Sequence, residues 1–172
     1  MESSKRLLFL LLCLLFCLPF GVWTVARSVS AILYERDCGG HLKRAADANT
    51  IELADQELAI AVRYLEANRM TEGYTSIVYT VPSEDVGFWY RNLKASLEEL
   101  RKIPSDASQL EKSNVLLKLR QTLLDHKGSG EEVTNPVGIS VFPHNTLYMI
   151  WAVVGLILFI VGAICLLAAL QE

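Results

Sequence analysis

Side chains that could do chemistry lie close together in the segment "DCGGHLKRAAD". Cys38 and His41 are three residues apart, and on a helix this spacing places two side chains on one face. A thiolate and an imidazole are ligands of zinc or haem iron, but a zinc site needs three or four ligands and only two are local. The c-type haem pattern needs a second cysteine beside the histidine, which is absent. We therefore predict no metal site and no cofactor here.

Arg44 and Asp47 are also three residues apart, and they continue the apolar stripe of the following helix backward with polar side chains. One interpretation is a polar seam near the membrane, a pocket in which this pair binds an anion or a partner. The other is an ordinary surface pair at a solvated helix end, worth a few tenths of a kcal/mol. The sequence leaves both open.

Cys38 is the only cysteine outside the two apolar ends of the chain, since Cys13, Cys17 and Cys165 fall within them. The polar part of the chain therefore cannot contain an internal disulfide. An inert thiol is the default expectation for Cys38, and an inter-chain disulfide is the alternative.

Aromatic side chains crowd the segment "TEGYTSIVYTVPSEDVGFWYRNL". Aromatic residues and arginine dominate the energetics of protein interfaces. The predicted ligand- or partner-binding residues are Tyr74, Tyr79, Phe88, Trp89, Tyr90 and Arg91. The alternative is that several of these rings cap the open end of a helical core.

Catalytic motifs are missing from the sequence. It contains no nucleophile elbow, P-loop, dinucleotide fingerprint or His-Glu-x-x-His motif. The adjacent carboxylates Glu84 and Asp85 fit the first turn of a helix, where the helix dipole favours negative charge. We predict that the chain is not an enzyme.

The elements that must position these residues begin with two uncharged segments, residues 7–26 and 146–170. Each can cross a hydrocarbon core of about 30 Å at about 1.5 Å per residue. The first could instead belong to a signal peptide cleaved after Ala31. Because neither segment contains Asp, Glu, Lys, Arg or His, we expect anchors and not a channel or pump.

Charge predicts the orientation. Lys5 and Arg6, in the short N-terminal segment 1–6, favour a cytoplasmic N-terminus, so that the C-terminus is also cytoplasmic and the middle domain lies outside. No Asn-x-Ser/Thr sequon occurs, which favours a bacterial inner or plasma membrane over a secretory pathway. Charges of both signs are interspersed in the middle domain, so we expect no nucleic-acid partner.

The middle domain, residues 27–128, reads as helices at about 30–70, 84–102 and 107–127, followed by a linker at 129–145. The first carries a coiled-coil-like apolar seam. A helix of about 40 residues is about 60 Å long, so the other two can lie along it end to end. The predicted fold class is an all-α membrane protein, with two transmembrane helices flanking an elongated extracytoplasmic helical bundle or hairpin. A compact three-helix bundle is the alternative.

This architecture resembles the input half of four-helix-bundle chemoreceptors, although no sequence motif supports the likeness. The resemblance implies an extracytoplasmic ligand-binding sensor, but the two residues after the second apolar segment provide no output domain. We therefore expect a small membrane-anchored accessory protein of the cell envelope. Its partners would be the lipid bilayer and a membrane protein or a second copy of the chain. The sensor is the alternative.

Overall fold

The chain is mostly helical in the computed structural model, which describes residues 2–127 and 130–171. It forms two compact units. One contains the residues up to Ala31 together with those from His144 onward, and the other contains Ile32–Pro143. Residues 1, 128 and 129, which belong to the predicted N-terminal segment, helical domain and linker, lie outside the described residues.

Helices α1 (Glu2–Tyr34) and α6 (Asn145–Gln171) are each long and apolar enough to cross a membrane. Their leucine, valine and isoleucine side chains are largely exposed along both helices. Such a surface is unfavourable in water and suits a lipid environment.

In the first unit, α1 and α6 pack closely because glycines face the partner helix. A Cβ atom at Gly155 would lie 3.3 Å from the Cα of Phe20, and one at Gly162 would lie 2.9 Å from the Cys17 sulfur. Gly155 lies beside Phe20, whereas Gly162, which comes later in α6, lies beside Cys17, which comes earlier in α1. The two helices are therefore antiparallel. Small residues allow this close approach of helix backbones in membranes.

Two indole N–H groups join the same pair of helices. Trp23 donates to the carbonyl of Tyr148 at 2.9 Å, and Trp151 donates to the carbonyl of Pro19 at 3.0 Å. Each bond therefore ties one helix to the backbone of the other.

The predicted continuous helix over 30–70 is wrong. After α1 ends at Tyr34, the chain forms one π-helical turn (Glu35–Gly39), then α2 (Gly40–Ala46), a break, and α3 (Ile51–Ala67). A Cβ atom on Gly40 would lie 2.9 Å from the Glu35 carbonyl oxygen, so glycine permits the close approach within the π-helical turn.

Helix α3 folds back antiparallel on the end of α1 and on α2. The rings of Tyr34 and Tyr64 lie 6.3 Å apart between centroids, and further along the hairpin His41 contacts Glu57. The local reason for the break is Thr50, whose side chain accepts the backbone N–H of Leu53 at 3.2 Å and starts a new helix. Folding back packs α3 against α2 and helps to bury its apolar stripe.

Helices α4 (Val86–Lys102) and α5 (Gln109–Leu123) complete the helical part of the second unit. Asp85 caps α4 by accepting the N–H of Phe88 at 2.9 Å. Ser108 caps α5 by accepting the N–H of Glu111 at 3.2 Å, as its spacing predicts.

The expectation of an all-α domain needs a correction at the end of α5. The predicted helix to residue 127 stops at Leu123, where strand β1 (Leu124–Lys127) begins and pairs antiparallel with β2 (Gly130–Val133). A lone two-stranded ribbon is marginal in water, but Leu124 is buried and Val133 packs on the core.

The predicted linker 129–145 is not a bare connection. Besides β2 it contains a 3₁₀ turn (Ile139–Val141), in which Ile139 and Val141 are buried. Phe142 also packs against the core. These apolar side chains stabilise the conformation of a segment whose Gly and Pro content alone suggested a linker.

The core of the second unit lies between helices α2, α3, α4 and α5. Helix α3 packs against α2 and α4, and α5 packs against the same two helices. The largest fully buried side chains there are Leu42, Leu58, Leu65, Leu93, Leu100, Leu123, Val86 and Cys38.

Candidate functional site

A buried carboxylate lies at the centre of the α2–α3 contact. Glu57 is only 5% exposed, and its two oxygens contact different side chains of α2. Oε2 lies 2.6 Å from Nδ1 of His41, and Oε1 lies 2.5 Å from a terminal nitrogen of Arg44. A buried carboxylate requires such partners, because an unpaired buried charge is strongly unfavourable.

A cavity of about 470 Å³ adjoins this cluster on the side of the π-helical turn. His41 and Arg44 line it, together with Arg36 and Glu35. Arg36 is engaged by Asp37 at 2.6 Å, and this bond holds the pKa of the Asp37 carboxyl below its usual range. The cavity wall therefore carries both signs of charge.

Cys38 does not form a nucleophilic pair with His41. The thiol is fully buried, and burial raises its pKa to about 12. A thiol with a raised pKa is a poor nucleophile, so Cys38 has the properties of a core residue. Among residues 2–127 and 130–171, no group of three or more His, Cys, Asp and Glu side chains is arranged to hold a metal ion.

Burial of Cys38 gives a prediction that bears on the inter-chain disulfide. In a variant whose other cysteines are alanine, we expect maleimide to label Cys38 at least about 100-fold more slowly in the folded protein than in denaturant. A matched control carries Ser105→Cys, an exposed position, in place of Cys38 and should label rapidly in both states. Rapid labelling of folded Cys38, or a disulfide dimer on a non-reducing gel, would contradict the buried position.

The predicted Arg44–Asp47 pair does not form. Arg44 contacts Glu57, while Asp47 contacts Arg120 of α5 at 2.6 Å. Arg120 also contacts Glu131 of β2, and this bond raises the pKa of the guanidinium. Both predicted residues therefore join helices to each other instead of acting together.

The Glu57 cluster gives a second prediction. Glu57→Gln removes the charge that holds His41 and Arg44, and we expect the free energy of unfolding to fall by roughly 1.5–3 kcal/mol, the range for hydrogen bonds to charged groups. Urea unfolding of the full-length protein in detergent, followed by near-ultraviolet circular dichroism, measures it. Glu98→Gln, at an exposed position of α4, should change stability by less than about 0.5 kcal/mol. Equal effects of the two substitutions would contradict the role of Glu57.

The predicted aromatic group is divided by the structure. Trp89 is buried, and its indole N–H donates to the carbonyl of Thr134 at 2.7 Å. Tyr90 is half-buried and donates to Glu66 at 2.5 Å, which holds the pKa of that carboxyl below its usual range. These two side chains fix α4 within the unit.

The other aromatic side chains of the predicted group are exposed on or beside a loop whose two ends are joined by backbone hydrogen bonds. The aromatic loop, residues 73–86, is closed by backbone bonds from Val86 N to Gly73 O (2.9 Å) and from Thr75 N to Glu84 O (3.1 Å). Its exposed apolar side chains, with Phe88 at the start of α4, form what we name the loop surface: Tyr74, Ile77, Val78, Tyr79 and Phe88.

A second cavity, of about 260 Å³, opens beside the loop surface. Tyr74 and Phe88 line it, with Thr80, Pro82 and Asp85. The predicted residues Tyr74 and Phe88 thus meet at one cavity, whereas Tyr79 lies elsewhere on the loop and Arg91 is exposed on α4.

Sequence reasoning missed Glu57 and Val78. Glu57 follows Ala54 by three residues and so lies on the apolar stripe of α3, which was the available signal for a buried charge. Val78 is 81% exposed. A β-branched residue in a run of strand-forming residues gives no sign of exposure, because the same pattern is typical of a buried strand.

Comparison with known proteins gives no relative. No family model matches the chain, and no curated protein and no solved structure matches it at a significant level.

Proposed function

We propose that the chain is a membrane-anchored docking protein, which binds a protein partner through the loop surface of its helical unit. The observation that carries the proposal is the exposure of this surface. Val78 is 81% exposed, Tyr79 is 76% exposed and Phe88 is 58% exposed, whereas Trp89 beside them is 8% exposed. Several exposed apolar and aromatic side chains on one loop are typical of an interaction site.

The loop surface has a further property of binding sites, a preformed backbone. Backbone hydrogen bonds between residues 73–75 and 84–86 close the loop. The hydrogen bond from Trp89 to Thr134 fixes the adjoining helix. Aromatic side chains on a backbone that is already ordered lose little conformational entropy when they bind.

The antiparallel α1–α6 pair supports a hairpin anchor. Two antiparallel spans of this kind would return the chain to the side of the membrane on which it starts. From Lys5 and Arg6 we infer that both ends of the chain face the cytoplasm and that the middle domain lies outside it. From the lack of an Asn-x-Ser/Thr sequon we infer a bacterial inner or plasma membrane.

Labelling with a membrane-impermeant maleimide tests this topology. A single cysteine at Ser105→Cys should react from outside intact cells, and a fluorescent protein fused to the C-terminus should fluoresce in the cytoplasm. Protection of that cysteine until the cells are lysed would refute the orientation.

Docking is tested by comparing what co-purifies with matched surface variants. We expect Val78→Ser with Tyr79→Ser to reduce recovery of a stoichiometric membrane partner by at least about tenfold. Leu110→Ser with Leu117→Ser, at exposed apolar positions on α5, should leave recovery unchanged. Equal recovery with both double variants would refute docking through the loop surface.

The cavity beside Glu57 favours a second candidate, a ligand sensor. Its volume of about 470 Å³ lies within the roughly 300–1,000 Å³ typical of small-molecule sites, and π-helical turns are frequent at functional sites. A panel of small anions should then raise the melting temperature of the full-length protein but not that of His41→Phe. No ligand-dependent rise would refute the sensor.

A further inference from the structure

We propose that the cavity beside the aromatic loop receives one cationic side chain, arginine or lysine, from the docking partner. This inference rests on the docking function and adds the chemistry that the partner must present. It follows from the size of the cavity, from its walls and from the charge at its edge.

The size of the cavity suits a single side chain. Its volume of about 260 Å³ lies below the range of roughly 300–1,000 Å³ that small-molecule sites occupy. A single long side chain fits this volume, and the exposed residues 77–79 directly precede Thr80 of the cavity wall in the chain.

The walls of the cavity favour a cation. Tyr74 and Phe88 are exposed aromatic residues that line it together with Pro82. The face of an aromatic ring carries negative potential and attracts an ammonium or guanidinium group within about 6 Å. The face of a ring repels an anionic group by the same potential.

Asp85 is the charged residue in the cavity wall. Its Oδ1 accepts the N–H of Phe88 at 2.9 Å, and its Oδ2 makes no hydrogen bond to a residue that the structure describes. The surrounding segment, residues 72–85, also contains Glu72 and Glu84 and no lysine or arginine. This charge is complementary to a basic side chain.

Arg91 offsets part of this charge in the free protein. A Cβ atom at Gly87 would lie 3.2 Å from the Arg91 Nη1 and 3.3 Å from the Asp85 Oδ1. The Arg91 guanidinium and the Asp85 carboxylate therefore both lie close to Gly87. A bound cation therefore competes with Arg91, and Arg91→Gln should tighten its binding.

The test uses five-residue peptides, acetyl-Ser-Val-X-Val-Ser-amide, with X as arginine, lysine, norleucine or glutamate. The full-length protein in detergent carries 4-fluorophenylalanine at Phe88, and the ¹⁹F resonance reports binding. We expect saturable shifts with the arginine and lysine peptides, with affinities at least about tenfold above those of the norleucine and glutamate peptides. Equal affinity for norleucine, or no shift with any peptide, overturns the proposal.

The substitution Asp85→Asn removes the negative charge from the cavity wall without removing the cap of α4. Asparagine caps helices about as well as aspartate, so α4 keeps its cap while the cavity loses its charge. We expect this variant to bind the arginine peptide at least about tenfold more weakly, and Glu98→Gln to bind it unchanged. An unaltered affinity in Asp85→Asn overturns the proposal.

These outcomes are distinguishable from failure of the docking function. If the loop-surface variants lose the co-purifying partner while the peptides bind without charge preference, docking stands and the cationic side chain is refuted. If those variants keep the partner, docking through this surface is refuted whatever the peptides do.

Discussion

Trp89→Ala should lower the free energy of unfolding by about 3–5 kcal/mol, the range measured when a buried large aromatic side chain is truncated. The side chain is 8% exposed, and the substitution removes both its packing and the hydrogen bond to Thr134. Chemical unfolding of the full-length protein in detergent, monitored by near-ultraviolet circular dichroism, measures the change.

The matched control is Tyr79→Ala, an aromatic truncation in the same stretch at a residue that is 76% exposed. We expect it to change stability by less than about 0.5 kcal/mol while weakening partner binding. A third variant, Trp89→Phe, keeps most of the packing and should cost about 1 kcal/mol for the lost hydrogen bond. Equal losses of stability in Trp89→Ala and Tyr79→Ala would contradict the division of the aromatic group.

Gly162→Leu should separate α1 from α6. The added side chain begins 2.9 Å from the Cys17 sulfur and 3.2 Å from the carbonyl oxygen of Cys13, so the helix backbones must move apart. Overpacking of this kind costs about 1–3 kcal/mol. The two inter-helix indole bonds should then open more often.

The protein's three tryptophans provide a direct measurement, since all three indole N–H groups donate to backbone carbonyls. In ¹⁵N spectra we expect Gly162→Leu to speed hydrogen exchange of the Trp23 and Trp151 indoles by about fivefold or more, and to leave Trp89 unchanged. Gly21→Leu is the control, because nothing lies within 4 Å of a Cβ atom there. Equal effects of the two leucines would refute close packing through Gly162.

The apolar helices were predictable from the sequence because uninterrupted hydrophobicity over the width of a bilayer is a strong signal. The fold-back at Thr50 was not predicted. Apolar periodicity continues on both sides of the break, and only the capping side chain distinguishes a reversal from a long helix. Asn49 and Thr50, followed by Glu52, were the signal that could have placed a new helix start there.

The candidate sites show a similar limit. The residue types at the aromatic loop indicated binding, but sequence spacing cannot tell which ring turns inward, because Phe88 and Trp89 are neighbours with opposite burial. The partners of Asp47 and Arg44 came from helices α5 and α3, which depend on the tertiary arrangement. Likewise, β1 and β2 are short, and their pairing depends on packing of Leu124 and Val133 that local propensity does not encode.

Site-specific photocrosslinking in living cells tests the docking function most directly. A benzophenone side chain replaces Tyr79 in one variant and Leu110 in another, both at exposed positions of the helical unit. We predict that illumination gives one discrete crosslinked membrane protein from position 79 and none from position 110, and that Asp85→Asn weakens the crosslink. Identical crosslinking patterns from both positions, or no product from position 79, would contradict docking through the loop surface.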